Sequence, residues 1–317
     1  MPENYDYSEP TRLLSAVRLS SYKSSLEPHN DAQLLGAYCW NLAVVSAFYP
    51  LLQMVEVCLR NTLNQVAVAK YQTHGHTLWF SAIPDWQDHD DAGNEGKAEQ
   101  VRKFCDNIKN ATKNARRNLE GKGIANPIPT LDQIISQSDF STWEYLLDKH
   151  FYDGSDKRFL WPHELTKAFR KLPRISGSKN PMFHQRDIIR RRIEEIRAFR
   201  NRISHNEPAW LVSEVKGRED IIEGLTEKLE RILELVFWIS PKFRKYVADI
   251  GIESRVRQIL NPHELDRYMH LYKRQNIKDL QEFSELLTLS NSQNLRCYFM
   301  LDEIPGILSP CITTLLQ

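Results

Sequence analysis

Glycine and cysteine are scarce in this sequence of 317 residues, which contains 12 glycines and five cysteines. The cysteines lie far apart and form no CxxC pair, which argues against a zinc ribbon and against a disulfide framework. No long segment alternates apolar and polar residues in the way that a half-buried strand does. Helix-compatible residues dominate instead, so the sequence predicts an all-α protein of a reducing compartment.

An excess of charge of either sign is also missing, because 42 Lys and Arg residues balance 41 Asp and Glu residues to a net charge of +1. This balance argues against a general nucleic-acid coat, so any attraction to phosphate must be local. The N-terminus lacks the basic and apolar regions of a secretory signal. Apolar runs such as Ile232 to Ile239 are much shorter than the roughly 20 residues of a bilayer span. We expect a soluble, cytoplasmic protein without a membrane partner.

Helical periodicity is strongest in residues 31–72, 183–205 and 219–239, where apolar residues recur at intervals of three and four. Pro50 is expected to kink or divide the first of these helices. Thr130 is a candidate N-cap. Shorter helices are expected at 98–120, 131–137, 140–150, 162–171, 262–274 and 278–288. We divide the chain into an N-terminal extension (1–30), a helical domain (31–250) and a C-terminal appendage of additional helices (251–317).

The segment from Arg200 to Pro208 offers two arginines, a histidine and a carboxylate within nine positions. Guanidinium groups hold phosphate in a fixed fork, and imidazole transfers protons near neutral pH, so this set suits phosphodiester chemistry. On a helix, Asn201 and Arg202 lie one turn before His205 on a shared face. Arg200 points elsewhere, but its long side chain can curl toward a shared phosphate. Geometry therefore leaves Arg200 and Arg202 both eligible as the phosphate ligand.

The string from Phe199 to Pro208 resembles the Abi-like (abortive infection, AbiD/AbiF-type) branch of the HEPN superfamily. Arg200, followed by Asn201 and with His205 after four intervening residues, is similar to the R-x4-6-H motif of HEPN domains. The upstream stretch Val55-Glu56-Val-Cys-Leu-Arg60-Asn61, followed by Gly75 and Trp79, resembles the N-terminal helix and landmarks of that branch. The resemblance covers about residues 30 to 240 and leaves roughly the last 65 residues unexplained.

This resemblance implies a HEPN-like helical bundle that forms a homodimer, in which the two copies of the motif meet in one shared cleft. That cleft would cleave RNA without a metal or any other cofactor. The 2′-hydroxyl would attack the neighbouring phosphate and leave a cyclic phosphate on one product. His205 would handle protons, and Arg200 would bind the phosphate and stabilise the developing charge. Asn201 and Arg202 would orient the cleft or contact adjoining phosphates. A neutralising or regulatory protein partner would fit a toxin or phage-defence role.

Supporting roles follow for three further residues. Glu56 and Arg60 lie one turn apart, so they are expected to pair and to orient the motif arginines rather than to act as catalysts. Arg197 belongs to an arginine-rich helix face that would extend the positive surface for flanking nucleotides. That face also contains Arg186, Arg190, Arg191 and Arg192.

Less specific interpretations remain beside the nuclease. The arginine face can be a solvated surface, with His205 as a simple C-terminal cap of the helix. The protein can also bind RNA without cutting it, or serve as a helical scaffold. His74, His76, His89 and Asp90 lack the thiolates or the distant partner of a strong zinc pattern, so we expect no metal there.

Overall fold

A computed structural model of the chain describes residues 5–72, 78–84, 99–272 and 274–313. Helices account for 66% of the structure, so its mainly helical character is confirmed. The elements of the described residues are the helices α1 (Ser8–Leu14), α2 (Ala16–Leu26), α3 (Asp31–Tyr71), α4 (Glu99–Glu120), α5 (Leu131–Ser136), α6 (Phe140–Tyr145), α7 (Leu165–Ala168), α8 (Pro181–Ser204), α9 (Arg218–Ile239), α10 (Pro241–Asp249), α11 (Ile252–Ile259), α12 (Pro262–Tyr268) and α13 (Leu280–Gln293), and the strands β1 (Gln275–Asn276), β2 (Cys297–Leu301) and β3 (Ile304–Leu308).

The chain folds into two compact units that are not continuous in sequence. Unit 1 contains the residues up to Leu52, then Phe199–Arg231, and the residues from Arg244 onward. Unit 2 contains Gln53–Ala198 and Ile232–Phe243. The helices α3, α8 and α9 each contribute residues to both units.

Pro50 does not divide α3, which continues for 41 residues from Asp31 to Tyr71. Proline removes one backbone donor and leaves the carbonyl four residues earlier, that of Ser46, without its helical partner. Pro50 and Ser46 are both exposed, so water can bond to that carbonyl. Of the two expected effects of Pro50, a kink or a division, the division is therefore wrong.

The length and composition of α3 also match those of a membrane-spanning helix. One 18-residue window has a mean hydropathy of 1.8, and 33% of this window is buried within the protein. Core helices of soluble proteins pass the same test, so the match is weak support for a membrane span.

The core of unit 1 is rich in aromatic side chains. Tyr22 of α2 packs edge-on against Trp210, with 5.5 Å between ring centroids, and Trp40 of α3 lies 6.0 Å from the same indole. The Trp40 indole N–H donates to the carbonyl of Ile259 at 3.0 Å. Tyr22 and Trp40 are fully buried. The predicted N-terminal extension is thus folded, and α2 is part of this core.

Unit 2 contains a second aromatic cluster. Trp79 and Phe80 are fully buried, and their ring centroids lie 4.3 Å apart. Phe104 of α4 contacts both rings and also Phe151. Trp79 and Phe80 therefore anchor residues 78–84 in the core of unit 2. Gly75 and Trp86, like His74, His76, His89 and Asp90, lie outside the described residues.

Strands form where the sequence predicts only helical or irregular structure. The hairpin of β2 and β3 is antiparallel, and β1 pairs with β2 in parallel. Asp302 and Glu303 make the turn with positive φ angles of 48° and 68°. The strands pack on α13 through a small core of Ile277, Leu286 and Cys297. The appendage thus contains the expected additional helices, α11 to α13, together with strands that the sequence does not predict, because a short continuous apolar run cannot be told from a buried helix by periodicity.

Two glycines in helices are expected to respond to alanine with opposite signs. A Cβ atom on Gly36 of α3 would overlap the carbonyl oxygen of Tyr268, whereas a Cβ atom on Gly224 of α9 would meet no atom of the described residues within 4 Å. Gly36→Ala should lower the free energy of unfolding by about 1–3 kcal/mol, because backbone must move. Gly224→Ala should raise it by about 0.5–1 kcal/mol, because alanine favours the helix. Urea denaturation measures both values, and a Gly36→Ala protein as stable as Gly224→Ala would contradict the packing at Tyr268.

Candidate functional site

The candidate site lies at the carboxyl end of α8, where the helix ends in a Schellman motif. The backbone N–H of Asn206 donates to the carbonyl of Ile203, and that of Glu207 donates to the carbonyl of Arg202, each at 3.2 Å. Asn206 has a left-handed φ of 58°, which asparagine tolerates better than most residues. The helix therefore ends at Ser204, one residue before the predicted end.

Arg202 and Glu207 close this turn with an ion pair. Nη1 of Arg202 lies 3.0 Å from Oε2 of Glu207, and the two side chains are 26% and 50% exposed. In many Schellman motifs the residues at these two positions make an apolar contact. The charge pair takes its place, so the Arg202 guanidinium is held against the turn and its charge is partly offset.

His205 is exposed on the same turn. Its backbone N–H donates to the carbonyls of Asn201 at 3.0 Å and Arg202 at 3.2 Å. Within the part of the chain that the structure describes, no hydrogen bond or ion pair engages its imidazole. Backbone N–H groups satisfy the last carbonyls of α8, so the geometry does not favour the imidazole as a side-chain cap. The ring is accessible to a ligand.

Asn201 lies about one turn before His205, and Arg200 lies one residue earlier. Nη1 of Arg200 is 3.5 Å from Oδ1 of Asn201, and the Ser204 hydroxyl donates to the Arg200 carbonyl at 2.8 Å. Both side chains are half-buried. The preceding residue, Phe199, packs edge-on against Phe48 at 5.1 Å. Core packing of this neighbour fixes the backbone that carries Arg200.

Arg18 of α2 is a further cation at this turn, and the sequence gives no sign of its role. Its guanidinium donates to the carbonyl of Asn206, and its side chain is exposed. The two residues are 188 positions apart. No local pattern could have predicted this contact, which places a guanidinium on the backbone carbonyl of the residue that follows His205.

Buried polar contacts fix the loop that follows the motif. Oδ1 of Asn41 accepts from the backbone N–H of Ala209 at 2.9 Å. The Trp210 indole N–H donates to the Ser25 hydroxyl at 3.1 Å. Both bonds are buried, where an unmade hydrogen bond is costly. The turn that carries His205 is therefore supported from both of its ends.

The remaining predicted site residues, Glu56, Arg60 and Arg197, belong to unit 2. Glu56 and Arg60 of α3 are half-buried. Arg60 has no ion-pair partner among the described residues, and its Nε is buried without a hydrogen bond. The expected pairing of Arg60 with Glu56 is therefore not found. The structure gathers Arg200, Asn201, Arg202 and His205 at one helix end in unit 1.

Arg197 makes a structural ion pair. Its Nε lies 2.6 Å from Oε2 of Glu144, whose side chain is 5% exposed. Burial lowers the pKa of Arg197, but the hydrogen bond to Glu144, the charge of Glu144 and smaller electrostatic effects of Tyr145 and Glu194 together outweigh it and raise the pKa above its usual value. The guanidinium thus stays charged and holds a buried carboxylate of α6.

The other arginines of α8 also have partners in unit 2. Arg186 is 1% exposed, donates to the Leu147 carbonyl and lies 4.7 Å over the Phe183 ring. Arg191 pairs with Asp187 at 2.8 Å, and Arg192 bonds to Glu234. Both interpretations of the arginine face, as a positive surface for nucleotides and as a solvated surface, are wrong at Arg186, because this side chain is part of the core.

No cluster of three or more His, Cys, Asp or Glu side chains suited to a metal ion occurs within residues 5–72, 78–84, 99–272 and 274–313. Comparison with family models, with curated proteins and with solved structures finds no match to this chain.

Proposed function

We propose that this chain is a metal-independent endoribonuclease of the toxin or phage-defence type, with a HEPN-like site at the end of α8. His205 removes the proton from a ribose 2′-hydroxyl, and the oxygen attacks the adjacent phosphorus. The bond from phosphorus to the 5′-oxygen breaks, and the protonated imidazole of His205 returns its proton to that oxygen. The products carry a 2′,3′-cyclic phosphate and a 5′-hydroxyl. No cofactor takes part, because RNA supplies the nucleophile.

The observation that carries this proposal is the accessible imidazole of His205 on a turn that the guanidinium groups of Arg202 and Arg18 also contact. Arg202 is bound to Glu207 on the same turn, and Arg18 bonds to the Asn206 carbonyl. Arg200 precedes His205 by more than one helical turn, where its side chain can reach a phosphate held at the helix end. Proton transfer contributes typically about 10²- to 10⁴-fold to such reactions, and oriented positive charge adds a comparable factor.

Cleavage of RNA in excess EDTA tests the proposed activity. Purified protein should cut single-stranded RNA with the chelator present. The new ends should resist a 5′-phosphate-dependent exonuclease, and the 3′ ends should accept a ligase that requires cyclic phosphate. RNA that is bound in a salt-sensitive complex but recovered intact would indicate a non-catalytic RNA-binding protein instead. Cleavage that stops in EDTA would contradict the metal-independent mechanism.

The proposed nuclease acts as a homodimer in the cytoplasm, and one face of α3 suits a second copy. The residues from 32 to 55 include no charged side chain. Four residues at intervals of three and four are exposed and form the α3 stripe: Cys39, Leu42, Ser46 and Tyr49. Residues at this spacing lie on one side of a helix and form the contact line in a pair of packed helices. In a two-fold dimer a patch faces itself, so a patch without charge avoids self-repulsion.

A carboxylate on the α3 stripe should break the dimer. Leu42, which is 44% exposed, tolerates glutamate in the monomer. In the dimer, two opposed carboxylates repel, so Leu42→Glu should weaken association by at least roughly a hundredfold. Leu13→Glu, at a leucine of α1 that is 68% exposed, is the matched control. Light scattering measures the mass, and an unchanged dimer in Leu42→Glu would remove the α3 stripe from the interface.

A further inference from the structure

A second candidate binding site lies in the C-terminal part of unit 1, which the proposed nuclease mechanism does not use. A cavity of about 700 Å³ opens beside the end of α12 and the hairpin of β2 and β3. Its volume is in the usual range for sites that hold small molecules. The residues used below that line it are Arg267, His270, Tyr272, Arg274 and Tyr298.

A buried carboxylate holds one wall of this cavity in place. Glu264 is 2% exposed, and its Oε1 accepts from Nε of Arg296 at 2.8 Å and from the Tyr298 hydroxyl at 3.1 Å. Arg267 also reaches this carboxylate, with 3.4 Å between Nη2 and Oε2. The single negative charge of Glu264 therefore pairs with two guanidinium groups, those of Arg296 and Arg267, so this wall of the cavity has an excess of positive charge.

Arg267 is fixed by aromatic rings as well. Its guanidinium carbon lies 4.0 Å from the centroid of Tyr268 and 4.7 Å from that of Tyr298. Such contacts hold a cation in one orientation while leaving its edges able to donate. The neighbouring carboxylate of Asp266 does not neutralise Arg267, because it is bound by Arg218 at 2.6 Å. The cavity thus has a preorganised cation in its wall.

Arg274 adds a more accessible cation. Its side chain is exposed, and its Nη1 contacts the Met300 sulfur at 3.6 Å. A thioether is a weak, neutral acceptor and does not offset the charge. No carboxylate lies within ion-pair distance of Arg274 in the described part of the chain. Its guanidinium can bind an anion by displacing only this weak contact.

The remaining wall is aromatic. The rings of Tyr272 and Tyr298 meet edge-on, with centroids 5.9 Å apart. Burial and the Glu264 carboxylate raise the pKa of Tyr298, so its hydroxyl stays protonated. Burial and the Arg267 charge lower the pKa of His270, so its ring is neutral at pH 7. Flat, uncharged rings of this kind stack on nucleobases.

We propose that this cavity binds a phosphate monoester attached to a nucleoside, with the phosphate on Arg274 and Arg267 and the base against the tyrosine and histidine rings. A free nucleotide and the phosphorylated 5′ end of an RNA share this chemistry. The inference does not depend on RNA cleavage at His205, because it rests on other residues and on a binding measurement.

Calorimetric titration of the full chain tests the site with AMP, GMP, CMP and UMP as probes. At least one of them should bind, while its nucleoside and inorganic phosphate alone should each bind at least roughly tenfold more weakly, because each makes only part of the contacts. Arg274→Gln should weaken nucleotide binding by about tenfold to a hundredfold, the usual value of a hydrogen bond to a charged group. Arg255→Gln, at an exposed arginine of α11, is the matched control and should bind as the wild type does.

Two further probes separate the sources of the ligand. A 2′-O-methyl hexanucleotide cannot be cleaved through a 2′-hydroxyl, and it is titrated with and without a 5′-phosphate. Binding of the phosphorylated form at least as tight as that of the best nucleotide indicates an RNA end, and binding of the nucleotide alone indicates a small ligand. Absence of binding by all four nucleotides at 1 mM, or equal affinity in wild type and Arg274→Gln, would overturn the proposal.

Discussion

His205→Ala should reduce RNA cleavage by about 10²- to 10⁴-fold, the usual contribution of a general acid or base. The fold should survive, because the ring is exposed and no described residue bonds to it. Surface substitutions of this kind usually change the free energy of unfolding by less than about 0.5 kcal/mol. Initial cleavage rates and thermal unfolding of the same preparation measure the two effects separately.

His184→Ala is the matched control for this variant. His184 is also exposed and lies on the same helix, α8, near its other end. Its loss should leave the cleavage rate unchanged. Wild-type activity in a folded His205→Ala protein, or equal losses in both variants, would eliminate the assignment of His205.

Glu144→Gln should lower the free energy of unfolding by about 3–5 kcal/mol, the usual cost of removing one partner of a buried ion pair. The Glu144 side chain is 5% exposed and lies 2.6 Å from Arg197 and 3.9 Å from Arg190. A neutral amide would leave both guanidinium groups without their buried counter-charge. Urea denaturation measures the loss.

Glu194→Gln serves as the comparison, because Glu194 bonds to Arg190 at 3.2 Å from a side chain that is 49% exposed. An exposed pair is worth at most about 1 kcal/mol. The same two variants also test the role of Arg197, because its ion pair with Glu144 indicates that it stabilises the fold. Equal stability of the two variants would contradict that role and would favour Arg197 as an RNA contact.

The long amphipathic helices follow from sequence periodicity. The observed bounds of α4, α8 and α9 lie within two residues of the predicted ones. Thr130 forms the expected cap, and a reciprocal bond from Gln133 completes a capping box. These features depend on neighbours in sequence, so local patterns specify them.

Contacts between distant segments determine the features that the sequence does not predict. In the sequence, Trp210 looks like an ordinary core residue. Its partners include Ser25 and Tyr22 of α2, so part of the predicted N-terminal extension belongs to the core of unit 1. Arg186 follows the arginine pattern of α8 and is nevertheless buried against the Leu147 carbonyl. The helical period shows which residues share a face of the helix. It does not show which of these faces is covered by another segment of the chain.

In the candidate site, too, some features follow from the local sequence and others depend on contacts between distant segments. The end of α8 is predictable, because Asn206 and Pro208 are local termination signals. The ion pair of Arg202 with Glu207 spans the same turn. Arg18 is different, since its place beside Asn206 depends on how α2 packs. Local chemistry therefore points to His205 as the candidate proton-transfer group, whereas tertiary structure brings Arg18 to the same turn.

Complementation between two inactive variants tests most directly whether paired protomers share the catalytic groups. His205→Ala and Arg200→Ala are purified separately, mixed under conditions that exchange subunits, and shown to form mixed dimers by native mass spectrometry. If Arg200 of one protomer acts with His205 of the other, each mixed dimer contains one intact pair, and cleavage should rise well above the sum of the separate variants. Mixed dimers that cleave RNA no faster than the separate variants would contradict the shared site.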